Sequence, residues 1–221
     1  MGTATGTRAA RERVAQAARR LAAEGLVLGT AGNVSERVDD VVAVTPTGAV
    51  LENLAPEQVA LVDLDGRSVE GQLEPTSELF LHLGIYREYE AGAVVHTHAP
   101  MATSLSCVLD ELPVIHYHQL ALGGPVAVAP YETFGTEALA QATLQALRGR
   151  RAALMANHGA IVYAGDAAAA VEDSLLLEWL CGVYWRAAAL GAPRTLDAEQ
   201  CQAVVQAVLE RGYGDTRRRP A

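Results

Sequence analysis

The sequence predicts a layered α/β fold built on a central sheet that is mixed or antiparallel. Three observations carry this. Apolar residues at helical spacing alternate with short apolar runs of strand length along all 221 residues, so helices and strands interleave. A run such as "QVALVDLDGRSVEG" alternates around a DG turn, which signals a hairpin and hence antiparallel pairing. Half of the residues are hydrophobic, enough for a sizeable core, and the length suits one domain, residues 1–221, with a core from about 8 to 212 and a tail at 213–221.

The elements follow in order. Residues from about Thr7 to Glu24 repeat apolar positions at helical spacing, and Gly25 closes the segment. This charged, amphipathic N-terminus has no long apolar stretch and reads as a first helix rather than a signal peptide. "LVLGTAGNVSERV" reads as a glycine-rich turn between strands, and "VVAVTPTG" as a strand running into a turn. "PTSELFLHLGIYREY" starts with a capping residue and continues as an amphipathic helix. "AGAVVHTHA" is a strand and "PMATSLSCVL" the helix after it. "LPVIHYHQLALGGPVAVAPY" reads as a strand, a Gly-Gly turn and another strand. "GTEALAQATLQAL" is a helix with a Thr near its start, and "AALMANHGAIVYAG" a strand interrupted by "NHG". "DAAAAVEDSLLLEWLCGVYWRAAALG" is a long helix with a wide apolar face. A last helix covers about Asp197 to Arg211, and "GYGDTRRRP" is a tail, either solvated or folded over a bound phosphate.

Composition narrows the function. The formal net charge is −9 and the pI about 5.1, so no global positive field attracts nucleic acid or an anionic membrane. Any anion site must therefore be local. No apolar run approaches the ~20 residues needed to span a bilayer. Three cysteines, Cys107, Cys181 and Cys201, are odd in number and far apart, which suits buried thiols in a reducing cytoplasm. All 17 basic residues are arginines, so a lysine Schiff base is excluded.

The chemistry-bearing residues begin with "AVVHTHAP". Side chains at i and i+2 of a strand share a face, so His96 and His98 project together and can bind one metal ion, or are two polar residues at a strand end. "IHYHQ" offers a rival pair, His116 and His118, at the same spacing; spacing alone does not separate the two, and both pairs can line one cavity. Glu78 favours the first pair, since it lies in the helix leading into the His96 strand, at a helix N-terminus that suits a carboxylate. His158, between Asn157 and Gly159 in an apolar run, is a third candidate: three protein ligands and an open position are what a catalytic zinc needs. His82, one turn after Glu78, either orients that carboxylate or lies on the helix face. "GTAGN" (29–33), "TPTG" (45–48) and "PTSE" (75–78) present small residues, hydroxyls and free N–H groups, and such turns can wrap a phosphate without Lys or Arg.

The segments "GLVLGTAGNVSER", "VTPTG", "EPTSELFLHLGIY", "AVVHTHAP", "IHYHQLALGG", "APYETFGT" and "ANHGAIVYAGD" fall in order from about residue 25 to 166. In them the chain resembles the class II aldolase/adducin superfamily. The resemblance implies a three-layer α/β/α sandwich around a mostly antiparallel sheet, assembled as a homotetramer with sites at subunit interfaces. It implies Zn²⁺ on His96, His98 and His158, although imidazoles also accept Co, Mn, Ni or Fe. It implies Glu78 as acid/base, a phosphate pocket on Gly32, Asn33, Thr47, Gly48, Thr76 and Ser77, and Tyr117 as a proton donor reaching a neighbouring subunit's site. Tyr213 matches a tail tyrosine near the substrate. His118 stands where an aldolase of this family has an apolar residue; it either touches substrate or adds a polar group at the subunit boundary.

The implied reaction is cleavage of a ketose 1-phosphate, of the L-fuculose 1-phosphate kind, to dihydroxyacetone phosphate and an aldehyde through a zinc-stabilised enediolate. The alternatives are an epimerase, dehydratase or decarboxylase of the same superfamily acting on ribulose 5-phosphate, methylthioribulose 1-phosphate or a keto-acid phosphate. A non-catalytic adducin-like interaction domain is disfavoured because all three histidines and the acid are present.

Overall fold

A computed structural model describes residues 2–211. Tyr213 and the tail at 213–221 lie outside the described residues. The chain runs through α1 (Gly2–Ala23), β1 (Asn33–Val38), β2 (Val41–Val44), β3 (Ala60–Asp63), β4 (Ser68–Glu70), α2 (Leu79–Glu88), β5 (Ala93–Thr97) and α3 (Pro100–Ser106). It continues through β6 (Glu111–Leu112), β7 (Val126–Ala129), α4 (Glu137–Ala146), β8 (Ala152–Met155), β9 (Gly159–Ala164), α5 (Ala167–Leu190) and α6 (Ala198–Arg211).

The nine strands form one sheet in the order β4-β3-β2-β1-β5-β9-β8-β7-β6. Every pairing is antiparallel except β7 with β8. Strand alternation divides the apolar residues between two cores. On one face α1, α3 and α5 cover Val34, Ala93, Val95 and Val162; on the other α2 and α4 cover Val44, Val94 and Ile161. The domain is therefore the three-layer α/β/α sandwich. No helix among the described residues is long and apolar enough to cross a membrane.

Charged side chains tie the helices of the first face to the sheet and to one another. Glu36 of β1 accepts from Arg13 Nε of α1 at 2.6 Å and from the Ala167 N–H at the start of α5 at 3.3 Å. Glu178 of α5 accepts from the Met101 and Ala102 N–H groups, both at 2.8 Å, so it satisfies the first turn of α3.

Four local expectations change. No strand precedes the glycine-rich turn: residues 26–32 link α1 directly to β1. Helix α2 has Glu78 at its N-cap with no side-chain cap; instead Thr76 Oγ1 accepts from the Glu78 N–H at 3.3 Å. The predicted strand through "IHYHQ" is cut to Glu111–Leu112, and Tyr117–Leu122 coils into a 3₁₀ helix. Buried Gln119 causes this, donating to the Leu112 and Pro113 carbonyls and accepting from the Ile115 N–H, which replaces strand pairing. Finally, "ANHG" reverses the chain completely: Met155 pairs with Gly159, and Asn157 takes a left-handed φ of 56° in the turn between β8 and β9.

Candidate active site

The three central strands bring the predicted ligands together. Asn33 of β1 pairs with His96 of β5, and His96 pairs with Ile161 of β9. Directly opposed residues share a face, here the face under α2. His98 lies one residue past β5, where its N–H donates to the Leu26 carbonyl at 3.1 Å. The β8–β9 turn delivers His158 from the next hairpin. The three imidazole centroids lie 4.7–4.9 Å apart. Glu78 joins them, and one ligand atom from each of the four residues lies within 4.8 Å of the others.

The hydrogen bonds show what this cluster needs. His96 Nδ1 faces the Ala160 carbonyl at 2.9 Å and so carries a proton there. Its Nε2 then presents a lone pair, 2.9 Å from His98 Nε2 and 3.1 Å from Glu78 Oε2. Glu78 Oε1 accepts no hydrogen bond and lies 3.4 Å from His158 Nε2. Converging electron pairs of this kind require positive charge, either a proton on His96 or a metal ion. A backbone carbonyl fixing the far nitrogen of a histidine is also how metal-ligating imidazoles are oriented. The donor set thus fits a divalent metal.

Titration follows the same logic. Burial pushes the Glu78 carboxyl up, but the charge and hydrogen bond of His96 and the Asn33 amide outweigh it and hold it well below the usual range. Burial pulls His96 down, and Glu78 more than reverses this. His98 and His158 are lowered to about 4, by burial and then by His96. Both rings are therefore neutral above that pH, as metal ligands must be.

The phosphate candidates converge on the same place. The Thr47 N–H donates to the Glu74 carbonyl and the Thr76 N–H to the Thr45 carbonyl, both at 3.0 Å, binding "TPTG" beside "PTSE". The Val34 N–H donates to Thr45 Oγ1 at 3.2 Å, which adds the end of "GTAGN". Gly32, Asn33, Thr47, Gly48, Thr76 and Ser77 all line one cavity of about 340 Å³, together with Glu78, His98 and His158. Within it Asn33 is committed to the protein: its Nδ2 donates to Glu78 Oε2 at 2.9 Å and its Oδ1 faces His82 Nε2 at 2.5 Å. His82 is fully buried and contacts Asn33, not Glu78 directly.

The rival histidine pair does not join. His116, Tyr117 and His118 cluster with Trp179 beside α5, outside this cavity, so the two pairs do not share it within one chain. Tyr117 is 38% exposed. Sequence reasoning missed the cavity mouth, where Tyr131, Glu132 and Phe134 follow β7 in a loop. Its signal was two aromatics in a short polar, glycine-containing stretch, "YETFG". The loop is seated on the phosphate segment, since a Cβ at Gly135 would lie 2.9 Å from the Ser77 carbonyl oxygen.

A family model described as Class II Aldolase and Adducin N-terminal domain matches residues 12–185. A 5-deoxy-D-ribulose 1-phosphate aldolase of Bacillus thuringiensis serovar kurstaki is 36% identical over 208 residues, covering 92% of this chain and 96% of its own. A 5-methylthioribulose-1-phosphate/5-deoxyribulose-1-phosphate aldolase of Rhodospirillum rubrum is 36% identical over 215 residues, covering 96% of each. A solved L-fuculose 1-phosphate aldolase superposes with a TM-score of 0.87 at 30% identity, covering 90% of this chain and 96% of that one. A match of this extent, to the family model and to relatives along nearly their whole length, means that the chain belongs to the class II aldolase and adducin N-terminal domain family, as an enzyme of the class II aldolases.

Proposed function

We propose that the chain is a metal-dependent aldolase that cleaves a ketose 1-phosphate to dihydroxyacetone phosphate and an aldehyde. The observation that carries this reading is one cavity lined by a carboxylate with an unbonded oxygen, by the imidazoles of His98 and His158 and by three hydroxyl- and amide-rich turns, with the His96 ring buried against the other two. His96, His98 and His158 would hold the metal, zinc in the first instance. When bound, it supplies Lewis acidity that stabilises charge developing on the substrate's carbonyl oxygen, a contribution of several kcal/mol.

The chain's own residues supply the rest. Thr47, Gly48, Thr76 and Ser77, with Gly32 and the backbone at Asn33, offer hydroxyl and N–H donors to the phosphate, so an acidic protein needs no cationic side chain there. In cleavage the C3–C4 bond breaks, the C4 hydroxyl loses its proton, and C3 gains one. Glu78 delivers the C3 proton and removes it in the reverse direction. Tyr117 relays the C4 hydroxyl proton, releasing its own phenolic proton to solvent as it takes this one. Tyr117 is exposed and outside its own chain's cavity, which supports the expectation that it acts in a neighbouring subunit's site of a homotetramer.

The two relatives that span nearly the whole chain are named for 5-deoxyribulose 1-phosphate, which favours a deoxyketose with a terminal apolar group. Tyr131 and Phe134 at the mouth suit such a group. The test is a retro-aldol assay over 5-deoxyribulose, 5-methylthioribulose and L-fuculose 1-phosphates, with and without chelator, alongside elemental analysis. Chelator-sensitive release of dihydroxyacetone phosphate supports the reading. Turnover of these compounds or of ribulose 5-phosphate without carbon–carbon scission overturns it. Glu78→Gln should lower turnover at least 100-fold with metal still bound; unchanged turnover would remove Glu78 from its role.

A further inference from the structure

Helix α2 crosses β1 so that Glu78, His82 and Tyr86, each four residues apart, face Asn33 and Ser35, two apart. Four helical residues rise about 6 Å and two strand residues about 6.7 Å, so the two rows of polar groups interdigitate. They form one continuous chain: Tyr86 Oη to Ser35 Oγ at 2.8 Å, Ser35 Oγ to His82 Nδ1 at 2.7 Å, His82 Nε2 to Asn33 Oδ1 at 2.5 Å, and Asn33 Nδ2 to Glu78 Oε2 at 2.9 Å. All five residues are at most 6% exposed.

The direction of every bond follows from the last. A carboxylate only accepts, so Asn33 must turn its NH₂ toward Glu78 and its carbonyl toward His82. His82 must then carry its proton on Nε2. No carboxylate lies within hydrogen-bond reach of that buried ring, and burial keeps it neutral, so Nδ1 accepts. Ser35 donates to Nδ1, and the Tyr86 phenol donates to Ser35.

We propose that His82 is a positioning residue for Glu78. By locking the Asn33 amide, it pins Oε2 and leaves Oε1 as the oxygen that exchanges a proton with substrate. The choice between orienting the carboxylate and merely occupying a helix face is thereby resolved toward the first, acting through Asn33. This rests on the acid/base reading of Glu78.

Two measurements test it on the zinc-loaded full chain. The first is the ¹⁵N spectrum of histidine-labelled protein, which reads the ring independently of turnover. His82 should show a neutral ring protonated at Nε2 from pH 5 to 9; an Nδ1–H or cationic ring overturns the proposal. The second compares His82→Leu, which keeps bulk without polarity, with His82→Gln, which keeps one donor and one acceptor. Leu should lower kcat about 10- to 100-fold, with KM and zinc content within twofold of the parent, and Gln should restore most of the loss. Equal losses in both variants, or losses that track zinc content, overturn the proposal. Should the parent protein cleave no ketose 1-phosphate, the aldolase reading fails instead, and the ¹⁵N spectrum still decides the direction of the chain.

Discussion

Replacing Gly159 by Ala tests whether the β5–β9 contact sets the ligand geometry. A Cβ at this position would lie 2.2 Å from the Thr97 carbonyl oxygen, 3.2 Å from its carbon and 3.4 Å from His98 Cα. Carbon and oxygen rarely sit closer than about 3.3 Å even in the close contacts between strands, so the two strands must part by roughly 1 Å. Backbone yields to backbone only by shifting paired strands, and the cost falls in the overpacking range of about 1–3 kcal/mol. The shift acts on the residues flanking both strands, His98 on one side and His158 on the other. A displacement of about 1 Å in such a site lowers turnover on the order of 100-fold. Urea unfolding, elemental analysis and the retro-aldol assay read these three effects separately. A Gly159→Ala protein with the parent's unfolding midpoint and full metal content would refute the argument that this strand contact holds the imidazoles in place.

Further outcomes follow from the same geometry. His96→Ala should lose the metal on dialysis while remaining folded, and chelated parent protein should regain turnover when zinc is returned; retention of metal in His96→Ala would remove that ring from the ligand set. Thr47→Val and Ser77→Ala should each raise KM for a ketose 1-phosphate about tenfold, with kcat within threefold, because each removes a hydrogen bond to a charged group. Unchanged KM in both would place the phosphate elsewhere. His82 is lowered to about 3, by burial and then by His96. The unfolded chain takes up that proton near pH 6.5 and the native chain does not, so stability falls as pH drops from about 6.5 toward 3, by up to about 1.4 kcal/mol per pH unit. Urea midpoints measured from pH 7 to 5 should therefore fall more steeply for the parent than for His82→Gln, and parallel slopes would contradict this.

The residues that are legible in the sequence are those whose positions depend on local periodicity. His96 and His98 share a face because strands alternate, and Glu78 sits at a helix start because the pattern of "PTSELFLHL" says so. His158 is harder: its neighbours signal a bend, but a complete reversal into β9 depends on Asn157 adopting a left-handed conformation. "IHYHQ" misleads because the force that coils it is the buried Gln119 side chain, which competes with strand pairing and leaves no mark on hydrophobic alternation. The chain from Tyr86 to Glu78 is invisible for a different reason. It exists only because α2 docks on β1 in one register, and no local pattern encodes how a helix sits on a strand 40 residues away.

The loop carrying Tyr131, Glu132 and Phe134 has a consequence for how this fold can diversify. Its three cavity-facing side chains belong to no strand or helix, whereas His96 lies within β5, His98 and His158 each stand one residue off β5 or β9, and Glu78 stands at the N-cap of α2. On the proposed aldolase reading, exchanging those three positions would retune which aldehyde is accepted while His96, His98, His158 and Glu78 stay in place, provided the glycine that seats the loop on Ser77 is kept. Reaction and acceptor choice would then reside in different elements, and laboratory evolution of new acceptors would have a short, well-bounded set of codons to randomise.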